Sequence, residues 1–271
     1  MKVLAIAAEG TADLVARECE ALDLVVHRVW DSGVGLDLDR PQVARALVHL
    51  RVASRLLLKL ADVRCHNANV MYHDIRELNW ELWLSNGPTI AVAASGALPG
   101  APGTRSSSRR GRSGNEGAPI RNHVFASQKI KDAIVDRIRL HFGGRPDVDR
   151  KDPDVQIVAR FNGDFCGIYL DLTGEPLYKR GWRVANVHAP LNETLASAII
   201  AMTGWSGEQP LIDPMAGSGT LVIEAVFRAL GIAPGFRRTF GVERWPHHGA
   251  ELRSLLDEVR QAAREHAEET L

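Results

Sequence analysis

The amino-acid sequence predicts a mixed fold, with α+β units followed by the start of an α/β unit. Three observations predict it: strand and helix patterns alternate along the chain, a Gly- and Arg-rich stretch interrupts them near residue 105, and an apolar strand pattern near residue 212 turns through two glycines into a helix. The 271 residues are 45% apolar and 24% charged, enough for two or three small domains. This composition excludes disordered, collagen-like and coiled-coil chains.

The first 75 residues follow the order strand, helix, two strands, helix, strand. Strand patterns occupy 3–8, both sides of Ser32 and Gly33, and the end of 40–63. Helical patterns occupy 11–24 and the start of 40–63. This is a ferredoxin-like α+β order, so we predict an N-terminal domain at residues 1–75.

A second α+β unit is predicted at residues 76–178. Residues 73–95 read as a helical segment, a turn at 86–88 and a strand, and 97–118 is a disordered insertion because it has little to bury. The pattern resumes with an amphipathic helix in 120–142, closed by Gly143 and Gly144. Residues 155–173 then form two alternating strands around Asn162 and Gly163, which predicts a hairpin.

The third unit, at residues 179–271, contains a strand, a glycine turn and a helix. A first helix is predicted from its cap Asn192 to Gly204, and the sequence LIDPMAGSGT (211–220) then leads into the apolar helix 221–230. The turn lacks the Gly-Lys-Ser/Thr of a Walker A loop, and Val222 stands where a dinucleotide fingerprint needs its third glycine. A carboxylate beside a short glycine turn suits a cofactor with an amino-acid end, such as S-adenosylmethionine.

At this point the sequence resembles a known family. The run Asp213 to Thr220 resembles the first motif of class I S-adenosylmethionine-dependent methyltransferases of the THUMP-containing RNA type, although the same motif also occurs in DNA adenine methyltransferases. Residues 177–183 and 189–196 resemble that family's passage from THUMP domain to methyltransferase domain. Residues 125–136, 145–146 and 152–155 are similar to the THUMP segment of the large-subunit ribosomal RNA guanine-N2 methyltransferases.

The resemblance implies a fold and a set of cofactor-binding residues. The fold is a ferredoxin-like domain, a THUMP domain and the first part of a Rossmann-like methyltransferase domain. The cofactor's methionine end is expected to meet the glycine-turn residues, with three residues across from them; the implied set is Asp213, Pro214, Ala216, Gly217, Ser218, Gly219 and Thr220, then Pro190, Asn192 and Glu193. Ala216 departs from the cysteine usual in the family, a change of one small residue for another. Helix capping is the alternative reading of Asn192 and Glu193.

Two parts of such an enzyme are not found in the sequence, so no catalytic residue is assigned. The family's Asn-Pro-Pro-aromatic motif matches nothing in the 271 residues. The acid that holds the cofactor's ribose is expected on a strand after the last helix, and Glu243 is not assigned to this role. We therefore expect a chain truncated within its methyltransferase domain, with no methyl transfer activity of its own.

The charges predict an RNA-binding middle segment. The net charge is zero, but 16 Lys and Arg face 10 Asp and Glu between Ala97 and Arg183. Structured RNA is bound mainly through phosphates and shape, which requires cations on a rigid surface. The candidates are Arg121, Lys129, Lys131, Arg145, Lys179, Arg180 and Arg183. For Lys129 and Lys131, a solvated helix face is an equal alternative.

Other classes of site find little support in the sequence. The three cysteines are isolated and are expected to be reduced, and the histidines show no metal-ligand spacing, so no metal is predicted. No run of 18 apolar residues and no signal peptide occur, so a cytoplasmic protein without a membrane segment is expected.

The function implied by the resemblance is methylation of the exocyclic N2 of a guanine in large-subunit ribosomal RNA. Two alternatives remain open. One is a non-catalytic RNA-binding or assembly protein that keeps a THUMP domain and an incomplete Rossmann-like remnant. The other is guanine-N2 methylation of transfer RNA.

Overall fold

The computed structural model describes residues 1–85, 87–101, 118–183 and 190–270, which form two compact units. The first unit is discontinuous and comprises Met1–Leu57, Leu172–Glu243 and Glu251–Leu271. The second comprises Leu58–Asp171 and Arg244–Ala250. Most of the insertion predicted at 97–118 lies outside the described residues. The domain boundaries predicted from motifs stay predictions.

The N-terminal part of the first unit has the predicted ferredoxin-like order. Its elements are β1 (Lys2–Ile6), α1 (Ala12–Ala21), β2 (Val25–Trp30), β3 (Gly33–Asp37), α2 (Arg40–His49) and the start of β4 (Arg55–Arg64). The strand order is β2-β3-β1-β4, and β3 runs antiparallel to both of its neighbours. A capping box of Asp39 and Gln42 starts α2, whose apolar face is buried with that of α1.

The second unit contains the strands β4-β7-β6-β5 in that order. Its elements after β4 are α3 (Ala68–Arg76), a 3₁₀ turn (Trp80–Leu82), β5 (Ile90–Ala97), α4 (His123–Phe142), β6 (Val155–Asn162) and β7 (Phe165–Asp171). Strand β6 is parallel to β5 and forms the predicted hairpin with β7. The predicted end of α4 is confirmed, because Gly143 closes it with φ +72°.

The helix predicted within residues 73–86 is wrong in its extent. Helix α3 begins after Asn67, whose side chain accepts a hydrogen bond from the Val70 N–H, and it ends at Arg76. The buried Trp80 then donates its indole N–H to the Ile75 carbonyl at 2.7 Å, so the following residues form a separate short turn. Asn86, part of the predicted turn at 86–88, lies outside the described residues.

The remaining helices of the first unit carry the glycine turn. They are α5 (Glu193–Thr203), α6 (Thr220–Ala229) and, beginning in the second unit, α7 (Gly249–Thr270); a 3₁₀ turn covers Gly241–Arg244. Helix α5 has the predicted cap Asn192 and the predicted stop Gly204. The strand predicted before the glycine turn is wrong: residues 210–213 are irregular, and Ile212 is 84% exposed. The physical reason is that no described strand pairs with this segment, and a strand needs a hydrogen-bonded neighbour.

Among the described residues, no helix combines the length and the hydropathy that crossing a membrane requires.

Candidate functional site

The glycine turn between Asp213 and Thr220 has the backbone of a ligand-binding turn. Asp213 opens it by accepting a hydrogen bond from the Met215 N–H at 3.0 Å. Gly217 and Gly219 have φ of +55° and +73°, a left-handed conformation that favours glycine. A Cβ would have space at both positions, so the backbone conformation rather than crowding explains these glycines.

The turn delivers the N-terminus of α6 to solvent. Gly219 is the N-cap residue, so no side chain caps the helix. The first N–H groups of a helix have no partner within the helix, and they carry its partial positive charge. Asp213, Ser218 and Gly219 are half-exposed, and Pro214, Met215, Ala216 and Gly217 are exposed. The turn therefore offers backbone donors to an anion, and a carboxylate at Asp213 to a cation.

Arg183 joins this turn to the start of α5. Its guanidinium donates to the Glu193 carboxylate, and to the hydroxyls of Ser218 and Thr220, each at 3.0 Å. It also donates to the Leu191 carbonyl at 3.0 Å. The side chains of Arg183 and Glu193 are 17% and 7% exposed, so this ion pair is largely shielded from solvent.

The three residues predicted to lie across from the turn differ in burial and in hydrogen bonding; they are Pro190, Asn192 and Glu193. Glu193 is buried, and its carboxylate receives Arg183. Asn192 caps α5 by accepting hydrogen bonds from the Thr194 N–H and hydroxyl and from the Leu195 N–H, which is the capping reading of this residue. Pro190 is exposed. The structure thus links Glu193 to the turn through Arg183, while contact of these residues with a cofactor stays a prediction.

Two of the predicted RNA-binding cations are internal. Arg180 is 3% exposed and donates to Glu224, to the Leu177 carbonyl and to the Arg51 carbonyl. Its assignment to RNA is therefore corrected: a guanidinium enclosed by protein acceptors cannot reach a phosphate. The assignment of Arg183 to RNA is corrected as well, because its guanidinium donates four hydrogen bonds inside the first unit. Lys179 is exposed, but it pairs with Glu175 at 2.6 Å.

The other predicted cations lie on the second unit, at or near α4. Arg121 and Arg145 are exposed, Lys129 is half-exposed, and none of the three has an ion-pair partner within the described ranges. Lys131 pairs with its neighbour Asp132 at 2.8 Å. It also lines a groove of about 270 Å³ between α4 and β5, together with Arg150, which the sequence analysis did not select.

Glu224 is a buried acid that the sequence analysis missed. It lies on α6, is completely buried, and receives Arg180 at 3.3 Å and the hydroxyl of Ser197. The sequence did carry a signal, because Glu224 is the only charged residue in the apolar run 221–227. A lone carboxylate in such a run indicates a buried ion pair.

Family models match three stretches of the chain. The RlmL ferredoxin-like domain matches residues 2–57, the THUMP domain residues 116–171, and the RMKL-like methyltransferase domain residues 180–271. The three stretches follow one another in the order predicted from the motifs. The chain thus contains stretches similar to a ferredoxin-like, a THUMP and an RMKL-like methyltransferase domain.

Individual similar proteins carry methyltransferase or methylase names. The chain is 39% identical, over 250 residues, to the ribosomal RNA large subunit methyltransferase K/L of Psychromonas ingrahamii, covering 92% of this chain and 31% of the relative. Among solved structures, SMU.472, described as a methyltransferase and solved in complex with SAH, is 27% identical with a TM-score of 0.80, covering 98% of this chain and 64% of that one. A Listeria monocytogenes protein, named a predicted N6-adenine-specific DNA methylase, is 26% identical with a TM-score of 0.79, again covering 98% and 64%. The chain thus spans about a third of the curated K/L relative.

Glu243 has a structural role in the described part of the chain. Its carboxylate receives Arg260 through two hydrogen bonds of 3.0 Å and also accepts the Phe240 N–H. This carboxylate is buried and already paired, which agrees with leaving Glu243 out of the cofactor site.

The three cysteines are free and buried, and the described part of the chain contains no metal-binding cluster. Burial raises the pKa of both Cys19 and Cys65 to about 12, and it also raises the pKa of Cys166, so none is a ready thiolate near neutral pH. Nowhere among the described residues do three or more His, Cys, Asp or Glu side chains form a group suited to a metal ion.

Proposed function

We propose that this chain supplies the RNA-binding part and the methyl-donor turn of an S-adenosylmethionine-dependent methyltransferase, one that modifies the N2 of a guanine in large-subunit ribosomal RNA. The observation that carries the proposal is the exposed turn Asp213–Thr220 at the uncapped N-terminus of α6. The relative from Psychromonas ingrahamii is named for large-subunit ribosomal RNA, which supports this class of substrate. Such a substrate implies a cytoplasmic protein.

The residues of the turn fit the amino-acid end of S-adenosylmethionine. The α6 N–H groups and the Ser218 hydroxyl would receive its carboxylate, and the half-exposed Asp213 would attract its ammonium group. When bound, this cofactor supplies an electrophilic methyl group on a sulfonium. The chain's own residues fix the end of the cofactor that does not react, which positions the methyl group. We also propose that Pro214, Ala216 and Pro190 contact the cofactor.

The second unit would hold the RNA. Arg121, Lys129 and Arg145 are cations without protein partners among the described residues, and Lys131 and Arg150 line the groove beside α4. Cations on a helix and on the segments that flank it suit phosphates on a structured RNA. We further infer that the functional divisions are residues 1–75, 76–178 and 179–271, with the insertion 97–118 inside the second.

The guanine-N2 specificity rests on the resemblance alone. Such a reaction requires the guanine to be turned out of its stack and its amine to be aimed at the methyl group. The family motif that performs this step does not occur in the 271 residues. A transfer-RNA guanine and a purely RNA-binding role remain the two alternatives.

Calorimetry with S-adenosylhomocysteine tests the cofactor part of the proposal. We expect binding to the wild-type chain and a loss of binding in Gly219→Val, because a β-branched residue does not adopt φ near +73°. Gly143→Val is the matched control, since Gly143 has the same left-handed conformation at the end of α4, which belongs to the second unit. Absence of binding to the wild-type chain, or equal binding by the two variants, would contradict the proposal.

RNA binding is tested separately by titrating a large-subunit ribosomal RNA fragment at several salt concentrations. Lys129→Gln and Arg145→Gln are each expected to weaken binding and to reduce the salt slope by about one. Lys179→Gln, whose ammonium already pairs with Glu175, is the control. If all three variants bind like the wild type, these cations do not form the RNA surface.

A further inference from the structure

Arg183 determines which atoms of the glycine turn act as hydrogen-bond donors. A guanidinium has five N–H donors and no acceptor. Its 3.0 Å contacts to Ser218 Oγ and Thr220 Oγ1 therefore oblige both hydroxyl oxygens to accept. Neither hydroxyl can direct its hydrogen toward the arginine.

The two hydroxyls also contact each other, which fixes where their hydrogens go. Ser218 Oγ and Thr220 Oγ1 are 3.1 Å apart, so one donates to the other. Thr220 is 3% exposed and Ser218 is half-exposed. A buried hydroxyl needs an internal acceptor, so Thr220 donates to Ser218. The hydrogen of Ser218 is then left to point into the open turn.

We propose that Arg183 is a positioning residue that makes the Ser218 hydroxyl a dedicated donor to the carboxylate of the methyl donor. This proposal rests on the proposed function, because it takes the amino-acid end of S-adenosylmethionine as the ligand of the turn. It also gives a role to the buried ion pair. Glu193 neutralises Arg183, so the guanidinium orients the hydroxyls without adding net charge to the site.

The surrounding contacts hold the guanidinium in one orientation. Arg183 donates to the Leu191 carbonyl and to Glu193 on one side and to the two hydroxyls on the other. The Trp182 ring lies 5.4 Å from the guanidinium carbon. A lysine at this position would keep the charge but could not present several donors in a fixed fork. The proposal therefore predicts that the planar fork matters as well as the charge.

The test compares two ligands that differ by a single carboxylate. Calorimetry measures binding of S-adenosylhomocysteine and of its decarboxylated analogue to the wild-type chain and to Arg183→Gln, Arg183→Lys and Ser218→Ala. We expect each variant to lose about 10- to 100-fold in affinity for S-adenosylhomocysteine, the range expected for one hydrogen bond to a charged group. Affinity for the decarboxylated analogue is expected to change less than about twofold.

The variants also separate an orienting role from a structural one. Ser218→Ala retains the ion pair of Arg183 and Glu193, so it still measures the contribution of the Ser218 hydroxyl if an arginine variant fails to fold. In the double variant Arg183→Gln/Ser218→Ala, the second substitution is expected to add little, because both remove the same donor. Parallel losses for both ligands would mean that Arg183 only supports the fold, and an unchanged affinity for S-adenosylhomocysteine would also overturn the proposal. If the wild-type chain binds neither ligand, the proposed function itself fails.

Discussion

Removing the Glu224 carboxylate should destabilise the first unit by breaking its most buried ion pair. The side chains of Arg180 and Glu224 are 2% and 0% exposed, and Nε and Oε1 are 3.3 Å apart. Glu224→Ala would leave a buried cation without its acid and the Ser197 hydroxyl without its acceptor. Breaking a buried pair costs about 3–5 kcal/mol. Arg180 keeps two carbonyl acceptors, so we expect the lower end, about 3 kcal/mol.

Urea unfolding followed by circular dichroism measures this effect. With an m value of about 3 kcal/mol per molar urea, a loss of about 3 kcal/mol lowers the midpoint by about 1 M. Glu175→Ala is the control, because it breaks the exposed pair with Lys179, which contributes at most about 1 kcal/mol. The double variant Arg180→Met/Glu224→Leu should recover much of the loss, since it leaves no buried charge unpaired. A midpoint for Glu224→Ala within about 0.2 M of the Glu175→Ala value would refute the reasoning.

Three further predictions follow from other features. Burial raises the pKa of the Glu18 carboxyl, so the folded chain holds the carboxyl proton more strongly than the unfolded chain does. The free energy of unfolding should therefore fall as the pH rises above the ordinary carboxyl value of 4.5. Urea midpoints measured at several pH values should show a smaller fall in Glu18→Gln. Gly235→Ala should cost about 1–3 kcal/mol in urea unfolding, because its Cβ would lie 2.8 Å from Val48 Cα, whereas Gly87→Ala meets nothing within 4 Å and should be neutral. A tritiated methyl-transfer assay on undermodified ribosomal RNA should show no turnover by the 271 residues alone, because the catalytic motif is absent from the sequence; measurable turnover would contradict this prediction.

Local signals were sufficient to predict most of the secondary structure. The caps Asn192 and Gly204 bound α5 as expected, and the Asn162-Gly163 turn gives the hairpin of β6 and β7. The prediction failed at residues 210–213, whose apolar pattern is that of a strand. A strand depends on a neighbour that can be distant in sequence, whereas a helix satisfies its own backbone, so local patterns are a weaker guide to strands.

The candidate site was predicted less completely than the fold. The glycine turn and its flanking acid were found because left-handed glycines and a helix start leave a local signal. The roles of Arg180 and Arg183 could not be predicted, because an arginine has the same sequence signature whether it meets a phosphate or a buried carboxylate. The separation of 44 positions between Arg180 and Glu224 shows that this distinction depends on tertiary packing.

The discontinuity of the first unit has a consequence for how the protein emerges during translation. Residues 58–171 are synthesised after Leu57 and before the next segment of that unit appears at Leu172. At about 5–20 residues per second, these 114 positions delay the arrival of Leu172 by roughly 6–23 s. During that interval the Arg51 carbonyl cannot accept its hydrogen bond from the Arg180 guanidinium, and the close contact between Val48 and Gly235 cannot form. The first unit therefore cannot complete its folding until its later segments leave the ribosome. Until then, part of the surface that the N-terminal segment later buries stays accessible to chaperones.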